Sequence, residues 1–374
     1  MQIYLQTFGA RLRVKDGLFE VIVPDLSGSN HHVTEQFAGH QVKSILLQPG
    51  SSVSTDALLL AFEHGADIIV LDGFGNPKGR LLSNRPNSTL AIWKKQLAIS
   101  LTPDALRIAK GWVEDKIRER LLFLQKLKRY RDAGKQALIT QAETETADLL
   151  ARLSALPIRQ PAKDAEQIRG IEGQAGQIYF NTLNALLSEE LRFSGRSQQP
   201  AQDLFNAFLN YGYGILYNLV EKALVLAGLH PHIGWMHYDG YQRKSLVFDY
   251  IEPYRIWVEK TVFALFAAKK ISGQHARPAP KGKTGLWLND TGCRILADAF
   301  LHRLRHKKAE YEGRQFALEQ FLLDEARRLA ALVLRWNPPA PLSPFLGIFL
   351  MKKPINSSLP FTVFIISPTL SLSE

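Results

Sequence analysis

The sequence of 374 residues predicts an α+β protein, in which an N-terminal β-sandwich-like domain with one helix is followed by an all-α domain. Up to about Leu82, short runs such as "QIYLQTF" and "RLRVKDGLFEVIVP" alternate apolar and polar side chains and end in glycine or Asp-Gly turns. That pattern is typical of strands and hairpins. Beyond Thr102 the apolar residues recur three and four positions apart, which is typical of helices.

The one helix of the β-rich part is predicted in "SVSTDALLLAFEHGA". Ser54 to Asp56 supply a helix start and Gly65 a helix end, and the following "DIIVLDG" has the apolar run of a buried strand. The segment "NPKGRLLSNRPNS" then interrupts all periodicity with proline, glycine, asparagine and serine. We therefore expect a β-rich domain at residues 1–85 and a linker at residues 86–101.

The helical domain is predicted at residues 102–338. Thr102, Pro103 and Asp104 form a strong helix start, and the helix that they open runs to about Tyr130. Further helices are predicted at 135–155, 163–192, 202–227, 246–268, 290–309 and 312–335. The apolar, β-branched tail at residues 339–374, which ends in "PFTVFIISPTLSLSE", is left without an assigned element.

Composition points to an anionic partner. The chain has 46 Lys and Arg against 35 Asp and Glu, a formal charge of +11, and a nucleic-acid backbone is the commonest partner of such a protein. A basic enzyme kept soluble by its charge is the alternative. The single cysteine, Cys293, excludes an intrachain disulfide. The N-terminal "MQIYLQTFGARLRV" lacks the unbroken apolar core of a signal peptide, and no apolar run reaches the length of a membrane span. We expect a cytoplasmic protein without membrane contact.

The stretch "GLHPHIGWMHYDGYQRKSLVFDYIEPYR", residues 228–255, contains the most chemistry. Asp249 and Glu252 lie three residues apart and therefore share one face of a predicted helix. Two like charges on one face repel unless a cation lies between them, so the pair is either solvated surface or half of a metal site. The spacing alone favours a solvated face.

Three histidines of this stretch compete for a functional role. His237 lies in the loop that leads into the same helix, and imidazole with carboxylates suits cations such as Mn²⁺ and Mg²⁺. His230 and His232 flank Pro231 directly after Gly228, in a position typical of turn residues. Composition does not choose among the three.

Two further motifs admit both a functional and a structural interpretation. Glu172 lies in "IRGIEGQAGQIYF" between Gly170 and Gly173, where small neighbours would let a phosphate or another chain approach, but an ordinary helix glutamate would look the same. Tyr211 and Tyr213 in "NYGYG" would serve as covalent nucleophiles in a recombinase or topoisomerase. Their apolar helical pattern instead predicts two core aromatics.

Taken in order, "RGIEGQAGQIYF", "NAFLNYGYGILYNLVEKALVLAGLHPHIGWMH" and "SLVFDYIEPYR" resemble the three sequence blocks of the CRISPR-associated adaptation integrase, the family numbered one among the CRISPR-associated proteins. The resemblance implies a metal-dependent DNA endonuclease and integrase that inserts short DNA fragments into a CRISPR repeat array by 3′-hydroxyl attack on a phosphodiester. It implies Glu172, His237 and Glu252 as ligands of Mg²⁺ or Mn²⁺, and Asp249 as a neighbouring acid of the catalytic group. Among the three histidines, it selects His237.

The resemblance also implies partners, namely double-stranded DNA, a second copy of the chain bound through the β-rich domain, and the small ferredoxin-like CRISPR-associated protein numbered two. A prokaryotic cytoplasm follows from the same resemblance. Basic side chains should contact DNA phosphates, although a solvated charge looks the same in sequence. The candidates are Arg243, Lys244, Lys281, Lys283, Arg303 and Arg305.

Two other functions use the same features differently. A structure-specific nuclease that acts on branched DNA in repair would use the same metal site without integration. A non-catalytic DNA-binding scaffold would use the basic surface and not the acids. Product analysis separates the first from an integrase, because integration yields joined, larger products and hydrolysis yields only shorter ones.

Overall fold

The computed structural model describes residues 1–24, 32–83, 88–197, 200–237, 243–279, 284–311 and 314–337. The N-terminal part contains strands and one helix, as the alternating pattern predicts. They are β1 (Gln2–Leu5), β2 (Arg11–Lys15), β3 (Leu18–Pro24), β4 (His32–Phe37), β5 (Ser44–Leu47), β6 (Ser52–Val53), α1 (Thr55–Glu63), β7 (Asp67–Leu71) and β8 (Pro77–Leu81).

These strands form two sheets, with the orders β4-β3-β2-β6 and β1-β5-β7-β8. β2, β3 and β4 pair antiparallel, whereas β1, β5 and β7 run parallel. Parallel neighbours need a crossover connection, and α1 lies within the one that joins β5 to β7. Side chains of both sheets, among them Leu5, Leu12, Phe19, Ile45 and Ile68, share one buried core with α1. The predicted sandwich with one helix is confirmed.

The rest of the chain is mostly helical, as predicted. Its helices are α2 (Ser88–Ser100), α3 (Pro103–Lys128), α4 (Ala133–Ala155), α5 (Pro161–Ala185), α6 (Leu204–Leu226), α7 (Ser245–Tyr250), α8 (Arg255–Ala267), α9 (Asp290–His306) and α10 (Leu318–Arg335). Two short antiparallel pairs accompany them, β9 (Ala276–Pro278) with β10 (Leu286–Leu288) and β11 (Lys308–Tyr311) with β12 (Arg314–Ala317).

Several boundaries differ from the sequence prediction for physical reasons. The continuous helix at 246–268 is wrong, because the chain forms a 3₁₀ turn at Glu252–Tyr254 between α7 and α8, at Pro253, which has no N–H for a helical hydrogen bond. The helix at 312–335 begins only at Leu318, because β12 pairs with β11. The remaining helices match their predicted positions within a few residues, except that α5 ends at Ala185.

The predicted linker at 86–101 contains α2, which is packed rather than exposed. Ile92, Gln96 and Ile99 are buried, and Gln96 Nε2 donates to the carbonyl oxygens of His230 and Ile233 at 2.9 Å each. The division of the chain at residues 85, 101 and 338 stays a prediction, and the tail at 339–374 lies outside the described residues. In the part of the chain that the structure describes, no helix is long and apolar enough to cross a bilayer.

α6 and α8 approach closely where α6 has a glycine. A Cβ atom built on Gly212 would lie 2.5 Å from Val258 Cγ1, whereas a Cβ on Gly214, exposed on the same helix, would meet nothing within 4 Å. Small size at position 212 therefore allows α8 to pack on α6, and α8 begins at Arg255, next to the candidate site described below.

We expect Gly212→Ala to lower the free energy of unfolding by about 1–3 kcal/mol, because overpacking costs more than the gain in helix propensity. Gly214→Ala is the matched control and should raise it by about 0.5–1 kcal/mol. Urea denaturation of both variants measures the difference. Equal effects of the two substitutions would show that the α6–α8 contact is not tight at Gly212.

Candidate active site

One face of α3 forms the floor of the site. Trp112, Lys116 and Arg120 recur every four residues and therefore lie above one another on the helix. Lys116 and Arg120 are buried, with 4% and 6% of their surface exposed. Two buried cations on a helix that packs against α5 and the 3₁₀ turn require buried anions nearby.

The ammonium of Lys116 joins two carboxylates that come from different elements. Its Nζ donates to Oε1 of Glu172 on α5 and to Oε2 of Glu252 at 2.5 Å. Glu252 is 3% exposed and also accepts from Nε and Nη2 of Arg255, each at 2.9 Å. Burial alone would raise the pKa of Glu252, but the charges of Arg255 and Lys116 outweigh it and hold that pKa well below its ordinary value.

The 3₁₀ turn explains why a carboxylate and its counter-ion meet here. Glu252 opens the turn and Arg255 follows it by three residues as the first residue of α8. That spacing places both side chains on one side of the turn, so that Arg255 returns to Glu252. Arg255 is further held by the Tyr217 hydroxyl at 2.9 Å and lies 4.8 Å from the ring centre of Tyr213.

Asp249 organises the loop that carries the histidine. Its Oδ2 accepts from the backbone N–H groups of Trp235 and Met236 at 2.6 and 3.0 Å. Its Oδ1 accepts from the backbone N–H of His237 at 2.9 Å and lies 2.5 Å from His237 Nδ1. The Trp235 ring also stacks on Trp112 of α3, with centroids 5.5 Å apart. One buried carboxylate therefore fixes the backbone of residues 235–237 and the imidazole together.

The contact with Asp249 leaves His237 Nε2 for another partner. A carboxylate at Nδ1 selects the tautomer with the proton on Nδ1 and the lone pair on Nε2. Partial burial lowers the pKa of His237, but the hydrogen bond to Asp249 and the negative charges of Asp249, Glu252 and Glu172 raise it above its ordinary value. The side chain is 39% exposed, so its free edge is accessible from solvent.

The structure thus brings together Glu172, His237, Asp249 and Glu252, which are the four acid and imidazole side chains of the predicted site. The interpretation of Asp249 and Glu252 as a solvated helix face is wrong, because both are buried and fully engaged by donors. Glu172 lies at the edge, with 22% of its side chain exposed.

The other two histidines contact other elements. The His230 ring packs edge-on against Trp93 of α2 with centroids 5.0 Å apart, and burial lowers its pKa. His232 Nδ1 lies 2.9 Å from the backbone oxygen of Arg243. Both positions agree with the prediction of turn residues that follow α6.

The glycines beside Glu172 leave an open face on α5. Gly170 and Gly173 are exposed, and a Cβ built on either would meet nothing within 4 Å. The bulk of a large ligand therefore meets no side chain at these two positions.

Three of the predicted DNA-contacting residues, Lys244, Arg303 and Arg305, have different surroundings in the described part of the chain. Lys244 pairs with Glu221 on α6 at 2.6 Å, and Arg303 donates to Thr261 Oγ1 at 2.7 Å in a groove of about 250 Å³ between α8 and α9. Arg305 is exposed and lines a different groove beside Tyr4 of β1. Lys281 and Lys283 lie outside the described residues.

The two tyrosines differ in their environment. Tyr213 is buried and donates to Glu259 Oε1 at 2.7 Å, as the prediction of a core aromatic requires. Tyr211 is 38% exposed, so its assignment to the core is wrong.

Sequence reasoning missed a second buried ion pair beneath the site. Arg120 binds Glu259 of α8 through Nε and Nη2, at 3.1 and 2.5 Å, and Glu259 is fully buried. Arg120, Lys116, Arg255 and Glu259 were not distinguished from solvated charges in the sequence. For Lys116 and Arg120 the sequence did contain a signal of burial. Both lie among the apolar positions Val113, Ile117 and Leu124, which form the buried face of α3.

The side chains around Lys116 include chemical groups that are suitable ligands for a hard divalent cation. Two carboxylates and one imidazole are ligands that Mg²⁺ and Mn²⁺ accept, and the Asp249–His237 contact is the usual support of a metal-binding histidine. As placed, the carboxylates close on the lysine ammonium, and in the described residues no group of three His, Cys, Asp or Glu side chains is set for a metal ion.

Comparison with known proteins gives the family. The sequence profile of "CRISPR associated protein Cas1" matches residues 3–302 of this chain, and the chain therefore belongs to the Cas1 family, as the three sequence blocks predict. A CRISPR-associated endonuclease Cas1 of Archaeoglobus fulgidus is 29% identical over 343 residues, which cover 89% of this chain and 96% of that protein. A second, of Pyrobaculum aerophilum, is 35% identical over 71% of this chain and 82% of its own length.

Solved structures share the fold. A casposase bound to an integration product has a TM-score of 0.70 at 22% identity, covering 89% of this chain and 95% of its own. A CAS1 protein from Thermotoga maritima has a TM-score of 0.68 at 20% identity, covering 90% and 96%. A chain of a partial Cas6-RT-Cas1–Cas2 complex has a TM-score of 0.64 at 21% identity, covering 89% and 95%.

We expect Asp249→Asn to lower the free energy of unfolding by about 2–4 kcal/mol. The three backbone N–H groups and the imidazole now share two carboxylate oxygens, whereas the asparagine amide would offer them only one acceptor oxygen. Asp298→Asn on the exposed face of α9 is the control and should change it by less than about 0.5 kcal/mol. Denaturant titration measures both. An unchanged stability of Asp249→Asn would mean that the loop at 235–237 is held by its other contacts.

We expect Glu259→Gln to lower the free energy of unfolding by about 3–5 kcal/mol, because Arg120 then remains buried without its counter-ion. The double variant Arg120→Met/Glu259→Gln should recover part of that loss. A double variant less stable than Glu259→Gln alone would contradict this account of the pair.

The same pair predicts a pH dependence. Burial raises the pKa of Glu259, but Arg120 outweighs it and the pKa lies below its ordinary value of 4.5. The stabilising contribution is therefore present above pH 4.5 and is lost as the pH falls through the lower folded value. Unfolding measured from pH 7 to pH 3 should show the wild type and Glu259→Gln converging only below about pH 4.5.

Proposed function

We propose that the protein is a metal-dependent DNA endonuclease and integrase, which inserts short DNA fragments into a CRISPR repeat array in the cytoplasm of a prokaryote. One observation supports the proposal. In a chain of the Cas1 family, Glu172 and Glu252 come from separate segments and share the Lys116 ammonium. Their charges act on His237, which comes from a third segment and is held by Asp249. The pKa of Glu252 is lowered and that of His237 is raised by specific charged partners, and groups with shifted pKa values cluster at functional sites.

Glu172, Glu252 and His237 Nε2 would hold the cation, which we propose is Mg²⁺ or Mn²⁺. When bound, such an ion supplies Lewis-acid polarisation of a phosphate oxygen. Asp249 keeps the His237 ring in the required tautomer, and Arg255 keeps the Glu252 carboxylate charged and oriented. The same arrangement serves attack by a DNA 3′-hydroxyl in strand transfer and attack by water in cleavage.

Access for DNA is proposed on the Glu172 side. Glu172 is the more exposed of the two carboxylates, and Gly170 and Gly173 leave the adjacent surface of α5 without side chains. The groove between α8 and α9 offers Lys270, Arg303 and Lys307 to a phosphate backbone. Lys281 and Lys283 remain predicted contacts.

The proposed partners are duplex DNA, a second copy of the chain and the small CRISPR-associated partner numbered two. Names of structural neighbours support DNA and the small partner, since they include a casposase on an integration product and a Cas1–Cas2 complex. For the homodimer, we propose an interface on the β-rich domain, where the large apolar side chains of Phe8 and Phe74 are 82% and 94% exposed. A solution mass of 42.1 kDa, that of one chain, would contradict the dimer.

We expect Glu172→Ala to abolish joining of a labelled short duplex with free 3′-hydroxyls to a supercoiled, repeat-containing plasmid in Mn²⁺. Folding and duplex binding should persist, because Glu172 lies at the edge of the site. Glu166→Ala, on the exposed face of the same helix, is the matched control and should retain joining. The assay is run with and without the small partner, and EDTA should stop it.

Each outcome of that assay assigns a function. Metal-dependent label on the plasmid that disappears with Glu172→Ala supports the integrase. Only shortened DNA would favour the repair nuclease, and binding without a new product would indicate a scaffold. A fully active Glu172→Ala protein would defeat the proposed site.

A further inference from the structure

We propose that Lys116 is an internal counter-ion of the metal site, which occupies the carboxylates of Glu172 and Glu252 in the metal-free protein and is displaced when a divalent cation binds. The inference rests on the metal-dependent function proposed above and assigns to that site a residue that tunes its affinity. Lys116 would act through Glu172 and Glu252, and is therefore a positioning residue.

The first argument is electrostatic. Glu172, Glu252 and Asp249 place three carboxylates in or beside one buried position, and among the described residues Arg255 and Lys116 are the basic side chains that pair with the two glutamates. A divalent cation that enters while Lys116 stays leaves an excess positive charge in a buried site, which is costly. If Lys116 leaves, one arginine and one divalent ion balance the three carboxylates while His237 stays neutral.

The second argument is steric. A hard cation binds carboxylate oxygens at about 2.0–2.2 Å, and the Lys116 Nζ atom lies 2.5 Å from the Glu252 Oε2 atom that such an ion would use. Arg255 donates to both oxygens of Glu252, through Nη2 to Oε1 and through Nε to Oε2, each at 2.9 Å. An ion that touches Oε2 and the Glu172 oxygen would occupy the space that the ammonium fills, so that the two exclude each other.

The third argument decides which cation leaves. Arg255 is fixed by Glu252, by the Tyr217 hydroxyl and by the ring of Tyr213. Lys116 carries its charge at the end of a flexible four-carbon stem, and within the described residues its hydrogen bonds go to the two carboxylates. Glu172 is the more exposed of the two carboxylates. The Lys116 ammonium could therefore withdraw past Glu172, toward solvent.

The test compares Lys116→Met, which keeps the stem and removes the charge, with the wild type and with a matched control. Lys128→Met removes a lysine–glutamate pair from the same helix, the contact of Lys128 Nζ with Glu143 Oε2 at 3.0 Å. It lies about 18 Å further along α3. Mn²⁺ affinity is measured by calorimetry at pH 8, and thermal unfolding is measured in EDTA and in saturating Mn²⁺.

Displacement predicts that Lys116→Met binds Mn²⁺ at least about tenfold more tightly than the wild type, a difference of about 1.4 kcal/mol. Its melting temperature should fall in EDTA and recover most of that loss in Mn²⁺, because the ion replaces the missing charge. Lys128→Met should bind Mn²⁺ as tightly as the wild type does. Its melting temperature should differ from that of the wild type by the same amount in EDTA and in Mn²⁺. A lysine with a structural role alone would lower both melting temperatures of Lys116→Met equally.

The possible failures are distinguishable. If neither the wild type nor Lys116→Met binds Mn²⁺, the metal-dependent function itself is wrong. If the wild type binds Mn²⁺ and Lys116→Met binds it no more tightly, the inference is wrong and the proposed function stands. Lys116→Gln is a second variant without the charge, for the case in which Lys116→Met does not fold in EDTA. If both variants fold only in Mn²⁺, the result supports displacement. Failure of both to fold even in Mn²⁺ overturns it.

Discussion

Compensation of buried negative charge is the constraint on which the structure around Glu252 depends. Glu252, Asp249 and Glu259 are almost wholly buried in a helical core. An isolated carboxylate in such surroundings is strongly unfavourable, so each must find donors or cations. Asp249 uses backbone N–H groups and an imidazole, Glu259 uses Arg120, and Glu252 uses Arg255 and Lys116.

That requirement links elements that are far apart in sequence. α3 supplies Lys116 and Arg120 one turn apart, α8 supplies Arg255 and Glu259 at the same spacing, and α5 brings Glu172 to the shared lysine. The 3₁₀ turn at Pro253 interrupts the helix at the point where Glu252 has to face α3. Glu252 therefore joins α3 and α8 through Lys116 and Arg255, and Lys116 joins α5 to them through Glu172. A site built in this way holds its carboxylates in place before any ligand arrives, which the proposed metal-binding centre would need.

Much of the fold was accessible from the sequence, because alternation of apolar residues and helical spacing report directly on local structure. α1 begins at the serine and ends near the glycine that predict it, with Ser54 Oγ accepting from the Ala57 N–H at 3.2 Å. Pro253 was a local signal for the break between α7 and α8, but the helical spacing on both sides of it predicted one continuous helix. Local pattern could not give the pairing of β11 with β12. It also could not show that α2 is packed, since its Gln96 is buried through contacts with residues more than 130 positions away.

The acids and the histidine of the candidate site were predicted only through resemblance to a family. Spacing alone favoured a solvated helix face for Asp249 and Glu252. The compensating cations were missed altogether. A lysine or arginine on an amphipathic helix has the same sequence signature whether it faces water or a buried carboxylate, and Lys116 and Arg255 acquire their partners only when α3, α5 and α8 pack together. The position of Lys116 and Arg120 beside Val113, Ile117 and Leu124 was the available hint.

The central claim is that Glu172, His237 and Glu252 form one metal centre whose carboxylates are closed by Lys116 before the ion enters. A crystal structure of the protein with Mn²⁺ and a short DNA duplex, with the ion located by its anomalous scattering, tests it most directly. The account predicts a peak about 2.0–2.3 Å from oxygens of both glutamates and from His237 Nε2, with the Lys116 ammonium withdrawn. A Lys116 ammonium that still joins the two glutamates, with Mn²⁺ bound elsewhere on the protein or not at all, would contradict it.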